Sequence, residues 1–264
     1  MNIKEIISVG KKFVIGMVHC LPLPGTMGYD GDLNKIYEQA IFDAVTLEKC
    51  GVDAIIVENM GDSPFGVKLD LMQRITLTVA TQKVRDAVKI PVGVDAAFCD
   101  WEADLAIAYS TGCQFVRIPV FVDTVEFYGG LITPCARECM NYRKQMGLND
   151  IMILADIQVK HTNMLLPHVS IEKSAQNAVD CGADAIIVTG SAIGKETPIE
   201  MIKRVKTVSK LPVIAGSGVN AQNIDEQLNI ADGAIIGSSL KQGGVLSNPI
   251  SEELVKNVLN GLHR

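Results

Sequence analysis

"KCGVDAIIVEN" (residues 49–59) holds a helix end, a glycine and a short apolar run that stops at Glu58 and Asn59. Glycine after a helix supplies the left-handed cap that ends it. The Ala-Ile-Ile-Val run that follows shows no polar alternation, as expected of a strand buried on both faces of a parallel sheet. The same order returns in "DCGADAIIVTG" (180–190), and "KIPVGV" (89–94) is answered by "KLPVIA" (210–215). The two pairs are offset by about half the chain, which a half-barrel repeat would produce. Generic helix-to-strand chemistry would produce it too, and both readings lead to one fold.

Working outward, strands are expected at Val14–His19, Ala54–Asn59, Pro91–Ala97, Phe115–Val120, Ile151–Ile157, Ala185–Gly190, Pro212–Gly218 and Gly233–Ser239. Segments of helical period separate them, among them 33–49, 71–88, 171–180, 199–209 and 252–262. Alternating strands and helices of this number predict a single (β/α)8 TIM barrel spanning residues 1–264, with Ile3, Ile6 and Ile7 on a short N-terminal helix that closes one end. A doubly wound open sheet is the alternative, but "MVHCLPLPG" (17–25) is not its glycine-rich dinucleotide turn. Helix-to-strand connections are tight, whereas 20–32, 60–70 and 121–133 are long. These long loops follow strands, at the end where barrel enzymes keep their chemistry.

Bulk properties narrow the function. The chain has 264 residues, 48% of them hydrophobic, and a net charge of −6. Its mild acidity and lack of basic clusters argue against nucleic-acid binding. No apolar run reaches the ~18 residues of a membrane helix, and "MNIKEIISVGKK" is not a secretory signal. Seven cysteines without a CxxC pair argue against a disulfide framework, and Cys135 with Cys139 alone makes no zinc site. A cytoplasmic, reducing setting is expected, with homo-oligomerisation on base rates for barrels.

Two glycine-serine turns near the end suggest an anion site. "VIAGSGVNAQN" (213–223) reads as strand, turn and a helix starting near Asn220, and "ADGAIIGSSLKQGG" (231–244) repeats the scheme. Glycines let the backbone approach a ligand, and successive N–H groups attract an anion. Loops after strands seven and eight are the usual phosphate site in barrels. Gly216, Ser217, Gly218, Gly237, Ser238 and Ser239 are therefore the phosphate-binding candidates.

The motifs "IGMVHCLPLPG" (15–25), "VENMGDSPF" (57–65), "ILADIQVKH" (153–161), "AGSGVN" (215–220) and "ADGAIIGSSLK" (231–241) resemble, in order and spacing, those of the BtpA/SgcQ family from about Phe13 to Gly244. The resemblance implies a phosphate-binding-type barrel. One branch of that family is linked to photosystem I biogenesis, another to sugar uptake and metabolism genes. At two strand ends the chain departs from the family pattern. "VDAAFCD" (94–100) stands where a Leu-Arg-Asn-Asp stretch is usual, and "RIPVFVD" (117–123) where Asn and His are.

His19, Glu58, Asp95, Arg117, Asp156 and Lys160 fall at or near strand ends. In "ILADIQVKH", strand alternation would point Asp156, Gln158 and Lys160 one way, with His161 out of phase. The set suits acid–base work on a phosphorylated sugar or related metabolite: Glu58 or Asp95 exchanges a proton, and Lys160 stabilises developing negative charge. His19 and Asp156 complete the catalytic candidates, and Arg117, Gln158 and His161 the substrate-binding ones. Asp156 beside Lys160 would keep its ammonium charged, favouring charge stabilisation over imine formation. No cofactor is predicted. A divalent metal on His19, Glu58, Asp95 and Asp156 is a second enzymatic reading, without an HxH or HExxH spacing. A non-catalytic biogenesis or stability factor is the third.

Overall fold

The computed structural model describes residues 2–190 and 196–262. The apolar runs form eight parallel strands: β1 (Phe13–His19), β2 (Ala54–Glu58), β3 (Val92–Asp95), β4 (Phe115–Ile118), β5 (Met152–Ile157), β6 (Ala185–Val188), β7 (Val213–Ala215) and β8 (Gly233–Ile236). Every residue of these strands is buried, which explains their unbroken apolar character. They close in the order β1-β8-β7-β6-β5-β4-β3-β2, giving the expected barrel. Several strands stop short of the expected ends, β7 at Ala215 rather than Gly218, because their last residues already turn into loops.

Around the barrel lie α2 (Leu33–Cys50), α3 (Leu71–Ala87), α4 (Trp101–Thr111), α5 (Ala136–Gln145), α6 (Ile171–Asp180), α7 (Ile199–Val208), α8 (Ile224–Ile230) and α9 (Glu252–Asn260). Local chemistry sets their ends. Asp32 accepts the N–H groups of Asn34 and Lys35 to open α2, and Gly51, at φ 93°, closes it. Asp70 and Gln73 form a reciprocal capping box on α3. The helix expected near Asn220 starts at Ile224, because Asn220 is taken into a turn with Asn223.

Two apolar cores follow from strand alternation. The inner one holds Ile15, Met17, Ile56, Phe115, Leu154, Ile187, Ile214 and Ile235, joined by Ile3 of α1 (Ile3–Ile6) and by Ile7, which caps that helix. The short N-terminal helix thus plugs the floor of the barrel. The outer core lies between strands and helices.

The opening motif has its own physical basis at that floor. Asp53, just before β2, accepts the N–H of Val14 in β1 at 2.8 Å. Asp184, before β6, does the same for Ile153 of β5 at 2.8 Å, and Asp232, before β8, for Val213 of β7 at 2.9 Å. Each aspartate satisfies the first orphan donor of the preceding strand. The echo "GVDAII", "GADAII", "ADGAII" is a floor bracket used three times.

At the other end, the loops after β4 and β5 build a small antiparallel sheet from Val125–Phe127, Gly130–Ile132 and Asn163–Met164. Among the described residues, no helix is long and apolar enough to cross a membrane.

Candidate functional site at the barrel mouth

Alternation also decides what faces the mouth. In β1, Ile15 and Met17 point into the inner core, so His19 points the same way. The same step of two runs from Ile56 to Glu58, Phe115 to Arg117, Leu154 to Asp156 and Ile187 to Thr189. In β3, Val92 and Val94 face the outer core, which leaves Gly93 and Asp95 inward. A side chain at Gly237 would strike His19 Cε1 at 2.7 Å, and one at Gly216 would strike Ile187 Cγ2 at 2.5 Å. The topmost inward layer is therefore polar or glycine on every strand.

Three of these residues are cross-strand neighbours, since His19 pairs in register with Glu58, and Glu58 with Asp95. His19 Nε2 lies 3.3 Å from Glu58 Oε2. Arg117 grips Asp156 with two bonds, Nη2 to Oδ2 at 2.8 Å and Nε to Oδ1 at 3.2 Å, and its Nη1 stands 3.6 Å from Asp95 Oδ2. Asp95 is 0% exposed, yet neither of its oxygens has a hydrogen-bond partner among the described residues. His19 Nδ1 is likewise buried and unpartnered.

These surroundings split the two central carboxylates. Burial raises Glu58, but His19 contact and the charges of Arg117 and Lys160 outweigh it and leave the carboxyl below its ordinary value. Burial, then the charge of Glu58, push Asp95 well above the usual carboxylate range. Asp156 and Asp95 hold the Arg117 guanidinium charged against the cost of burial.

Lys160 differs from the sequence expectation. Asp156 is spent on Arg117, and among the described residues no carboxylate lies within ion-pair distance of the Lys160 amine. Burial, with Arg117 adding to it, lowers the Lys160 ammonium. Gln158 does not share the cavity. β5 ends at Ile157, Gln158 takes φ 46°, and its amide donates to Val169 O and Ser174 Oγ on the α6 side. His161, at φ 66°, lines the cavity instead, its imidazolium disfavoured by burial and by Lys160.

A cavity of about 100 Å³ opens above this layer, lined by His19, Glu58, Asp95, Arg117, Lys160 and both glycine-serine turns. Gly216, Ser217 and Gly218 follow β7, while Gly237, Ser238 and Ser239 follow β8, the latter two opening a single 3-10 turn. Ser239 Oγ donates to Val219 O at 2.7 Å and ties the loops together. The backbone N–H groups of Gly218, Val219, Ser238 and Ser239 donate to no acceptor among the described residues. All four residues line the cavity, and free backbone donors in such turns are the kind of group that attracts an anion.

Residues the sequence reading missed support or cover this site. Lys241 and Asp43, both 0% exposed, pair at 2.5 Å behind the second turn. Asn59 and Asp62 brace the loops after β1, β2 and β3: Asp62 accepts from Leu23 N–H at 2.7 Å, and Asn59 exchanges bonds with Ala97. Phe65 and Phe98 line the cavity, and Phe98 stacks on Phe127 of the small sheet with ring centres 4.7 Å apart. Asp156 lies beneath the cavity as the anchor of Arg117, so the four-residue metal set is not assembled. Among the described residues, no group of three or more His, Cys, Asp or Glu side chains is placed to hold a metal ion.

Fold and site together define a (β/α)8-barrel protein whose polar layer and two glycine-serine turns share the C-terminal mouth. Solved structures with the same fold include thiamine phosphate pyrophosphorylase of Pyrococcus furiosus, at TM-score 0.59, 14% identity and 98% and 97% of the two chains. Mycobacterium tuberculosis tryptophan synthase matches at TM-score 0.62 and 16% identity, over 96% and 93%. The sequence model of the BtpA family matches residues 10–264, and the chain belongs to that family. An uncharacterized protein of Pyrococcus furiosus is 40% identical over 93% of both chains. The photosystem I biogenesis protein BtpA of Synechocystis is 35% identical over 90% of this chain and 83% of its own.

Proposed function

We propose that the protein is an enzyme that moves protons on a small phosphorylated metabolite, a sugar phosphate or a close relative. The observation that carries this is the opposed state of two register partners. Glu58, beside His19, is pushed toward the carboxylate, while Asp95, buried and without a hydrogen-bond partner among the described residues, is pushed toward the acid. Paired carboxylates pushed apart in this way divide the roles of base and acid between them. Arg117, locked by Asp156, supplies a fixed positive charge beside them. The cradle of Gly216–Gly218 and Gly237–Ser239 would hold the phosphate, and that remote binding energy orients the reacting carbon. The working form is taken to be a cytoplasmic homo-oligomer, which cell fractionation and light scattering test.

The first experiment is thermal unfolding against sugar phosphates, nucleotides and inorganic phosphate, with and without Mg2+ or Zn2+. A ligand at ~100 times its dissociation constant adds about 2.7 kcal/mol, a shift of several degrees. Gly218 sits at φ 68°, where aspartate is among the better-tolerated residues, so Gly218→Asp places a carboxylate against the cradle at modest cost. Loss of the shift in that variant supports the anchor. A flat response across the panel would sink it and favour a biogenesis role like that named for the Synechocystis relative.

A further inference from the structure

Lys160 lines the cavity, and the division of acid and base between Asp95 and Glu58 assigns it no part. It follows β5, its N–H donates to Thr189 Oγ1 at 3.0 Å, and its side chain lines the cavity with Glu58, Asp95 and Arg117. A lysine that serves as a counter-ion within the protein needs a carboxylate at hand. Of the acids facing it, Asp156 is held by two bonds to Arg117, Asp95 stands 3.6 Å from the same guanidinium, and Glu58 meets His19. Its neighbours on the same segment that line the cavity are Val159, which is apolar, and His161, which is a base as well. Phe65 and Phe98 add apolar lining, their ring centres 6.5 Å apart.

We propose that Lys160 is a nucleophile that forms an imine with an aldehyde or ketone group of the substrate, so that the site takes a phosphorylated carbonyl compound. The depressed ammonium agrees with this, because a neutral amine is the reactive form. The surroundings balance the step. The Nζ lone pair makes the N–C bond while the carbonyl π pair moves to oxygen, which takes the proton of Asp95. Glu58 takes a proton from the new N–C nitrogen, giving a neutral carbinolamine. That proton then leaves with the hydroxyl as water as the nitrogen lone pair closes C=N. The product is an iminium cation flanked by two ionised carboxylates, Asp95 and Glu58, so the charge is conserved. The carbon beside the iminium is acidified, which is the proton the Glu58–Asp95 pair would then move.

The imine rests on the function proposed above, and one experiment separates them. The full-length protein is incubated with dihydroxyacetone phosphate or unphosphorylated dihydroxyacetone, reduced with borohydride, and mapped by peptide mass spectrometry. Thermal unfolding with the same compounds and with inorganic phosphate runs in parallel. The expected result is one adduct at Lys160, formed faster with the phosphorylated probe, and reduced at least tenfold in Lys160→Met and Lys160→Arg. Arginine keeps length and charge, so a folded Lys160→Arg without adduct answers any objection from misfolding. A thermal shift with no adduct overturns the imine and leaves the phosphate site standing. Adducts spread over surface lysines, equal in both variants, overturn it as well. An adduct at Lys160 with no preference for the phosphorylated probe upholds the imine and sinks the phosphate anchor.

Discussion

Lys241→Met tests the support behind the second glycine turn. Wild-type Lys241 and Asp43 are both 0% exposed, their atoms 2.5 Å apart, and the other Asp43 oxygen accepts the Ile250 N–H at 2.8 Å. Methionine keeps the length but leaves a buried carboxylate with one amide donor. Breaking a buried pair from one side costs about 3–5 kcal/mol, because the remaining charge cannot reach water. For a chain of this size each kcal/mol is worth about 2–4 °C, so the melting temperature should fall by roughly 6–20 °C. Burial already raises the Asp43 carboxyl, and without Lys241 it should rise further, so the deficit should shrink toward acid pH, where Asp43 is protonated in both states. Replacing both partners, Asp43→Leu with Lys241→Met, should recover most of the loss, since an apolar pair of similar size is often neutral or better. Differential scanning calorimetry of the two singles and the double closes the cycle. A single-variant loss below about 1 kcal/mol, the range of an exposed pair, would refute the reasoning.

Three further outcomes follow from the mouth. Asp95 has a folded value above its ordinary 3.8, so its stabilising contribution is full below that pH and is lost as pH rises through the folded value. Asp95→Asn should therefore gain in melting temperature relative to wild type with increasing pH, and a difference flat from acid to alkaline pH would contradict this. Gly237→Ala sets a methyl group 2.7 Å from His19 Cε1, which should displace the ring from Glu58 and weaken phosphate binding, read by titration calorimetry; unchanged affinity would count against the cradle. Asp156→Asn should cost about 3 kcal/mol and free Arg117 to close its 3.6 Å gap to Asp95. The Asp95 proton should then leave at lower pH, which carboxyl-carbon NMR can follow.

The barrel was legible because its strands are buried on both faces, so each wrote a continuous apolar run such as "AIIV" at 54–57. The small sheet was not, since segments of two or three residues such as Asn163–Met164 carry no period. The 11-residue α4, Trp101–Thr111, hid for another reason: its apolar residues fall on all sides, so no single face stands out. In the site, strand ends named the ring of His19, Glu58, Asp95, Arg117 and Asp156, but not its wiring. Nothing in "DIQVK" reveals that Gln158 takes a positive φ, which breaks the alternation and sends its amide to α6. Nor can sequence separate Asp95, whose oxygens are unpartnered, from Asp62, Asp100 and Asp123, which brace loops. Those differ in which backbone and side-chain donors the fold brings near.

The small sheet over the mouth joins the β4 loop to the β5 loop through Asn163–Met164, three residues beyond Lys160. The segment carrying the amine is thus strung between a barrel strand and the cover. Were the cover to lift for a ligand, water reaching Lys160 would relieve the burial that disfavours its ammonium. Admission and reactivity would then oppose each other: an open mouth would hold a more fully charged, less reactive amine than a shut one. Stray carbonyl compounds passing an open barrel would meet the less reactive form, so the timing of the cover, rather than the shape of the cavity alone, would guard the lysine.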